Sequence, residues 1–449
     1  MNRDISPPPL KRRKVRGSGL DVEDKFPRGQ EINLDSEVVM GPTAARSIRL
    51  FSWNINGIQP FLPESNTSIK SFFKPVDRKQ QRRSDQASVS QQAIQTQPSL
   101  VGNPLREFLQ RHGWPDILFL QEVKISRLDK KTPTILLNAI NTTLDEEDVI
   151  RQDRRYTLDI NLPRDKHNAR GFSGKLYGVG TLLREDFAKQ HVAEVRHADW
   201  DLEGRVTIVE LRPGNTNNDT SHTTHLTAIA SNHTKPTCSA AAAATARPLA
   251  LLNIYAVNGT AAPYRSPETG KVVGTRHDHK LAFHTRLRDE CLELESRGFS
   301  VVIAGDLNIA RGRLDGYPNL RTYPRQHCVN RADFNAKFFG DEDIARAEAH
   351  TGDVESLKKR LEAKFDGVDV FRALRGKERR YTYHPRSGDD WGSSCDRVDF
   401  TVVSRDLFES GRIVETDILD TPQERGTSDH VPLMVKLRMN EALPGKEDR

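Results

Sequence analysis

The chain has 449 residues, enough for one large sheet enzyme or for two or three average domains, and its hydrophobic fraction of 36% favours one core diluted by polar loops. A net charge of +6 favours a polyanionic partner only weakly, because 68 basic residues nearly balance 62 acidic ones. No apolar run reaches the ~20 residues of a membrane span, and the four cysteines lack CxxC or zinc spacing, which excludes membrane proteins and disulfide or zinc scaffolds.

The first 45 residues are polar and rich in proline and glycine, which is typical of a disordered tail. A Lys-Arg-Arg-Lys run at residues 11–14 follows three prolines. Such a cluster is typical of a nuclear-import signal or of an arm that binds nucleic acid, and a merely solvated tail is the alternative. We therefore expect the protein in the nucleus.

Apolar runs of strand length, bounded by turn residues, recur between about residues 46 and 440. They lie at residues 47–53, 116–120, 177–183, 206–211, 249–255, 301–303, 398–403 and 431–437. Helical spacing of apolar residues predicts helices at 104–111, 279–297 and 353–364. Strands outnumber helices, and long helices fall between some of them. The sequence therefore predicts one α/β domain at 46–440, a four-layer sandwich of two packed mixed β-sheets flanked by helices.

Two polar segments at residues 60–102 and 212–248 have neither strand nor helix periodicity, so we expect surface insertions there, and residues 441–449 form a charged tail. The first insertion contains Ile69 three residues before Phe72 and Phe73. This spacing resembles the box by which proteins bind the sliding clamp, and clustered aromatic residues in a polar segment favour a binding role. Packing of both phenylalanines against the domain is the alternative.

Seven short stretches end an apolar run with polar residues. They are SWNING at 52–57, FLQEVK at 119–124, LEGRV at 202–206, NIYAVNG at 253–259, IAGDLNIA at 303–310, DRVDF at 396–400 and TSDHVP at 427–432. Alone, such stretches are typical of a turn, a helix cap, a solvated carboxylate or a charged surface strand. Together they supply what phosphodiester hydrolysis needs, namely oxygen ligands for a hard cation, a base for water and donors for phosphoryl oxygens. The sequence therefore predicts a metal-dependent phosphodiesterase.

Two of these stretches carry polar residues at alternate positions. Asp306 and Asn308 follow one apolar run, and Asn54 and Asn56 follow another. Because side chains of a strand alternate between its two faces, we expect each pair to share one face.

The order and spacing of the seven stretches over about residues 47–440 resemble the endonuclease/exonuclease/phosphatase superfamily, and within it the AP endonucleases of the exonuclease III type. GVGTLL at 178–183, NIYAVNG, and DVFRAL at 369–374 before YTY at 381–383 carry the resemblance to this subgroup. The resemblance implies Mg²⁺ as cofactor, with Mn²⁺ as an alternative. It also implies a monomer that acts on DNA in base excision repair, as an AP-site endonuclease, a 3′–5′ exonuclease or a 3′-end-cleaning enzyme.

The resemblance further implies a role for each matching residue. The implied catalytic residues are Asp306, Asn308, His430, Asp399, Tyr255 and Asn258, the implied metal ligands are Glu122, Asn56 and Asp429, and the implied DNA phosphate contacts are Asn54, Arg205 and Arg397. Asp306 would take the proton of the attacking water. His430, oriented by Asp399, would donate a hydrogen bond to a non-bridging oxygen.

The chain departs from the family pattern where an extrahelical abasic sugar would be held. The matching positions are Tyr383, His384, Asp396 and Val398, and Asp396 stands where a tryptophan is usual. A carboxylate there would weaken or redirect selection for an abasic site. The alternatives are therefore a phosphodiesterase acting on RNA, a protein–DNA adduct or a small phosphoester, or an inactive scaffold that binds DNA or the clamp.

Overall fold

The computed structural model describes residues 47–63, 104–142, 154–168, 175–213, 246–339, 364–386 and 391–439. Both predicted terminal tails, most of the two predicted insertions with Ile69, Phe72 and Phe73, and nearly all of the predicted helix at 353–364 lie outside these ranges. Within them, no helix combines the length and apolar character that a membrane span needs.

The strands of the described ranges are β1 Ser47–Asn54, β2 Ile117–Gln121, β3 Ile125–Ser126, β4 Tyr156–Asn161, β5 Lys175–Leu176, β6 Val179–Arg184, β7 Val192–His197, β8 Val206–Leu211, β9 Leu249–Tyr255, β10 Pro263–Arg265, β11 Val272–Thr275, β12 Ser300–Asp306, β13 Gly316–Tyr317, β14 Gly367–Asp369, β15 Cys395–Asp396, β16 Asp399–Ser404, β17 Ile413–Ile418 and β18 Leu433–Arg438. The helices are α1 Pro104–Arg111, α2 Lys131–Asn141, α3 Glu185–His191, α4 Arg276–Ser296, α5 Gln326–Phe338, α6 Val370–Arg375, α7 Arg405–Glu409 and α8 Pro422–Arg425.

Two six-stranded mixed sheets form the centre of the molecule. The first has the strand order β17-β18-β1-β2-β6-β4, and the second has the order β14-β16-β12-β9-β8-β7. The two central strands of each sheet run parallel, β1 beside β2 and β9 beside β12. Their other neighbours are antiparallel. The carboxyl ends of the parallel strands therefore form a common edge in each sheet, where ligand sites of open sheets collect.

Buried side chains hold these layers together. One core cluster contains Leu50 and Phe119 of the first sheet with Leu251 and Val302 of the second, so the two sheets pack face to face. Further clusters pack α4 and α5 against the outer face of the second sheet, and α1 and α2 against that of the first. Central strands buried on both faces explain the near-continuous apolar runs of the sequence. The predicted four-layer sandwich is confirmed.

A buried polar ladder joins the two sheets just before their carboxyl edges. The Gln121 Nε2 atom donates to Asn253 Oδ1 at 2.8 Å and to Ser52 Oγ at 3.0 Å, and Asn253 Nδ2 donates to the Gly180 carbonyl at 2.8 Å. Hydrogen bonds are strong in such low-dielectric surroundings. The ladder therefore fixes β2 relative to β9, and with them the residues that follow at the edge.

Candidate active site

Three polar residues that follow central strands have a left-handed backbone. The φ angle is 51° at Asn56 after β1, 54° at Glu122 after β2 and 53° at Asn308 after β12. Such angles are uncommon for residues with a side chain, and they cluster at functional sites when the surrounding structure holds them in place. Contacts with the surrounding structure therefore hold these three residues in their left-handed conformation at the carboxyl edge of the sheets.

Two of the turns are closed by side chains. The Asn56 amide donates to Asn54 Oδ1 at 3.0 Å, and the Asn308 amide donates to Asp306 Oδ1 at 2.8 Å. The expectation that each pair shares a strand face is wrong, because the left-handed residue ends the strand alternation. Asn54 Nδ2 also donates to Asp306 Oδ2 at 3.0 Å, so the two turns join across the sheets. Asn54 is buried and holds Asp306, which corrects its assignment to a DNA phosphate.

Gly305 brings Asp306 to the edge through a close approach to β9. Its φ is +148°, and a Cβ atom there would lie 2.0 Å from the Ile254 carbonyl oxygen. We expect Gly305→Ala to lower the free energy of unfolding by about 1–3 kcal/mol, because backbone cannot move aside as a flexible side chain can. Urea denaturation measures this loss. Gly376→Ala is the control, because its φ of +57° is also positive but nothing lies within 4 Å; an equal loss in both variants would contradict the steric argument.

His430 and Asp399 form a buried pair beside Asp306. The Nδ1 atom of His430 lies 2.8 Å from Asp399 Oδ2, and one polar atom from each of the three residues lies within 4.8 Å of the others. Burial would lower the pKa of His430, but the carboxylates of Asp399 and Asp306 raise it to about 10. The imidazole therefore carries a proton at neutral pH, and its second nitrogen can donate to an anionic oxygen.

The Asp306 carboxylate has the character of a base suited to neutral pH. Burial and the neighbouring charge of Asp399 raise the pKa of Asp306 to about 7. A general base works best when its pKa lies near the operating pH, because it is then both deprotonated and basic.

The side-chain oxygens of Glu122 and Asn56 both contact the ammonium group of Lys124. The ammonium group of Lys124 lies 2.6 Å from Glu122 Oε2 and also donates to Asn56 Oδ1. On its other oxygen, Glu122 accepts the hydroxyl of Tyr255 at 2.7 Å. Burial would raise the pKa of Glu122, but Lys124 outweighs it and lowers the pKa below its usual value. Two oxygen atoms that share one cation are the donor set that Mg²⁺ prefers, so these residues fit a hard metal ion.

Asp429 and Asn258 border this centre. Asp429 precedes His430, is partly exposed, and accepts the His384 amide on its backbone carbonyl at 2.7 Å. Asn258 is exposed at the end of the segment that follows β9. The side-chain Nδ2 atom of Asn308 donates to the Ala256 carbonyl at 2.9 Å. Asn308 therefore holds Asp306 through its backbone N–H and not through its side chain.

Two arginines that the resemblance assigned to DNA lie inside the protein. Arg205 donates to Glu203 Oε2 at 2.7 Å and to the Tyr255 carbonyl at 3.0 Å, and Arg397 donates to Asp315 and Asp369 at 2.7–3.0 Å. Both side chains are buried. A phosphate cannot reach such guanidinium groups without breaking the ion pairs. We therefore correct both assignments from DNA contacts to residues that position the site.

The residues predicted for the abasic-sugar pocket do not all line one space. The Tyr383 ring packs against the His430 ring at 5.1 Å. The backbones of Tyr383 and Asp396 pair through hydrogen bonds of 2.8 and 3.1 Å. His384 instead stacks on Trp391 at 3.8 Å and pairs with Asp420 at 2.9 Å. Trp391 belongs to none of the seven stretches and was not predicted as a neighbour of His384.

Val398 accepts the Leu307 amide on its carbonyl at 2.9 Å. It therefore joins the end of β12 to β16 through the backbone.

Two lysines of the site were also missed. Lys124 stands inside the quoted FLQEVK stretch, so the signal was present, but it was not assigned a role. Lys280 of α4 is buried and donates to the Asn308 carbonyl at 2.8 Å, and burial lowers its pKa to about 7. Lys280 belongs to a helix that begins 17 residues after NIYAVNG, so no motif near it in the sequence indicated a place in the site.

A buried carboxylate base, a protonated imidazole held by a second carboxylate, and converging oxygen donors for a hard cation define a metal-dependent hydrolase of phosphate esters. The sequence pattern of the Endonuclease/Exonuclease/phosphatase family matches residues 51–430, most of the chain. The chain belongs to this family.

A solved structure shows the same fold. The chain is similar to the catalytic domain of Xenopus laevis APE2, with 17% identity, a TM-score of 0.50 and coverage of 89% of this chain and 94% of that one. It also resembles the AP endonuclease LMAP of Leishmania major at 16% identity, 88% coverage of each chain and a TM-score of 0.49. The 3′–5′ exonuclease NExo of Neisseria meningitidis follows at 15% identity, 87% and 99% coverage and a TM-score of 0.46. No curated protein sequence matches the chain significantly.

Proposed function

We propose that the protein is a Mg²⁺-dependent DNA phosphodiesterase of the AP endonuclease type, with Mn²⁺ as an alternative ion. It would act in base excision repair at abasic sites or at blocked 3′ ends. One observation carries the proposal: Asp306 lies within 4.8 Å of the His430–Asp399 pair, atom to atom, in a site that also holds the Glu122 and Asn56 oxygens. Motifs of the exonuclease III subgroup, DVFRAL and NIYAVNG, support the choice of DNA.

The side chains divide the reaction among themselves. Asp306 takes a proton from water as the water oxygen bonds to phosphorus. The bond from phosphorus to O3′ breaks, and O3′ takes a proton from solvent to give a 3′-hydroxyl end. Protonated His430 donates to a non-bridging oxygen as negative charge grows there. A metal ion at Glu122, Asn56 and Asp429 would supply further neutralisation of that charge. Tyr255 holds Glu122 in place through its hydroxyl group.

Two further proposals rest on the sequence. The basic run at residues 11–14 supports a nuclear location, and the spacing of Ile69, Phe72 and Phe73 supports a contact with the sliding clamp. We also propose that the enzyme acts as a monomer.

The proposed function predicts metal-dependent incision of a labelled duplex that contains one tetrahydrofuran abasic analogue, or metal-dependent removal of a blocked 3′ end. Incubation with Mg²⁺ should give a product with a 3′-hydroxyl end, and EDTA should abolish it, because the phosphoryl charge is then not neutralised. Gel electrophoresis of the labelled strand distinguishes incision at the analogue from shortening at the end.

Cleavage of neither DNA substrate, in Mg²⁺ or Mn²⁺, would contradict the proposal. RNA, protein–DNA adducts and small phosphoesters would then be the substrates to assay. Cleavage that persists in EDTA would contradict the assignment of Glu122 and Asn56 to a metal ion.

A further inference from the structure

An exposed arginine pairs with Asp396, whose backbone adjoins the catalytic centre through Tyr383. Arg321 is in the loop between β13 and α5, and 47% of its side chain is exposed. Its Nη2 atom lies 3.7 Å from Asp396 Oδ2, an ion pair too long for a hydrogen bond. Its backbone is held separately, because the Arg331 side chain donates to the Arg321 carbonyl at 2.7 Å. The loop is thus anchored while the guanidinium keeps donors directed at solvent.

Tyr383 connects this arginine to the reaction centre. The Tyr383 ring packs on His430 at 5.1 Å, and its backbone pairs with Asp396. Burial and the negative charges of Asp429, Asp396 and Glu122 raise the pKa of the Tyr383 hydroxyl to about 12, although the positive charge of Arg321 acts to lower it. Through Asp396 and Tyr383, two successive contacts join the Arg321 ion pair to His430 of the catalytic centre.

The exposure of the two charged side chains indicates which kind of ligand can bind beside them. The Asp396 side chain is only 9% exposed, whereas that of Arg321 is 47% exposed, so an incoming group meets the cation first. An uncharged sugar pressed against the pair would remove it from water and offer only neutral oxygen acceptors in return. An anionic group would accept two parallel hydrogen bonds from the guanidinium fork, the strong arrangement for carboxylate and phosphate.

We propose that Arg321 binds a negatively charged group carried by the scissile phosphorus at a blocked 3′ end, and that the enzyme therefore prefers charged 3′ blocks to internal abasic sites. The inference rests on the proposed function. Two ends share this chemistry, a 3′-phosphate with its additional anionic oxygen and a 3′-phosphoglycolate with its carboxylate. In both, Asp306 takes a proton from water as the water oxygen bonds to phosphorus, the bond to O3′ breaks, and O3′ takes a proton from solvent to leave as the 3′-hydroxyl. The other product is inorganic phosphate or phosphoglycolate.

The test compares kcat/KM of the full-length protein on three duplexes that differ only at the lesion: a 3′-phosphate, a 3′-phosphoglycolate and an internal tetrahydrofuran site. We expect Arg321→Gln to lower kcat/KM about ten- to hundredfold on the charged ends, because charge-assisted hydrogen bonds are lost. The tetrahydrofuran duplex should change by less than about threefold, because its sugar carries no charge for Arg321 to bind. Arg321→Lys should recover part of the loss, because a charge without the planar fork still attracts an anion.

Arg325→Gln is the matched control, because Arg325 is an exposed arginine in the same loop without a contact to Asp396. A loss confined to the phosphate or to the phosphoglycolate supports the inference and identifies the charged group that Arg321 binds. Equal losses on all three duplexes, or no loss on either charged end, would overturn it. If the unaltered protein cleaves none of the three, the proposed function itself is wrong, which separates that failure from a failure of the inference.

Discussion

Asp306→Asn is expected to lower kcat on the preferred DNA substrate by about 10²–10⁴-fold, the contribution usual for a general base. The amide has nearly the shape of the carboxylate but cannot take a proton from water. The environment of Asp306 gives a reason for the size of the effect: burial and the charge of Asp399 raise the pKa of Asp306 to about 7, so the native group is a stronger base than an exposed aspartate.

Affinity for the substrate should survive this substitution. The two oxygens of Asp306 accept from Asn54 Nδ2 and from the Asn308 amide, and an asparagine keeps one acceptor for the turn. Fluorescence anisotropy of a labelled duplex measures the affinity. Multiple-turnover kinetics measures kcat, and single-turnover kinetics measures the rate constant of the chemical step without product release. Asp289→Asn is the control, because Asp289 is 51% exposed on α4 and pairs with Arg288. Turnover within about tenfold of the unaltered protein, below the usual contribution of a general base, would exclude Asp306 from that role.

The polar ends of the central strands could be predicted from the sequence because both signals are local. A continuous apolar run marks a strand buried on both faces, and a carboxylate or amide directly after it marks the strand end. Glu122 and Asp306 were predicted in this way, whereas His430 stands before β18 and its role was implied only by the resemblance. Their mutual distances could not be, because the hydrogen bond from Asn54 to Asp306 joins residues 252 positions apart.

The errors have physical reasons as well. Arg205 and Arg397 belong to stretches that resemble a nuclease motif, but both side chains are buried. The packing of distant segments decides whether such an arginine is exposed or paired, as Arg397 is with Asp369. The strands β4, β7 and β17 lie at or beside sheet edges and carry exposed polar residues, so no apolar run marks them. Trp391 stacks on His384 only through tertiary folding, which spacing alone does not show.

The buried ion network under the site has the largest expected effect on stability. Asp369 accepts from both terminal nitrogens of Arg397 at 3.0 and 2.7 Å, from Arg311 at 2.9 Å and from the Arg372 amide at 3.2 Å. Burial would raise the pKa of Asp369, but the charges of Arg397 and Arg311 outweigh it and hold the pKa far below its usual value. The stabilisation is therefore fully present above the ordinary aspartate pKa, and it is lost only as the pH falls towards the depressed one.

We expect Asp369→Ala to lower the free energy of unfolding by about 3–5 kcal/mol, because two buried guanidinium groups lose their shared partner. That loss is a large part of the roughly 5–15 kcal/mol that stabilises a domain. Urea denaturation followed by tryptophan fluorescence measures it. Asp366→Asn is the control three residues earlier, because asparagine tolerates the positive φ of 53° at this position. Asp366 pairs with Arg405 at 2.9 Å but is 44% exposed, and an exposed pair contributes about 0–1 kcal/mol.

Equal losses in the two variants would show that burial does not determine how much these ion pairs contribute to the free energy of unfolding.

A large loss in Asp369→Ala alone would explain why an arginine stands two residues before Asp399. Arg397 precedes β16, its amide donates to the Asp315 carbonyl at 2.8 Å, and its side chain reaches Asp315 and Asp369. The network thereby fixes the start of the strand that presents Asp399 to His430. The remaining folded fraction of Asp369→Ala should consequently show a lower kcat, since a displaced Asp399 no longer orients the imidazole.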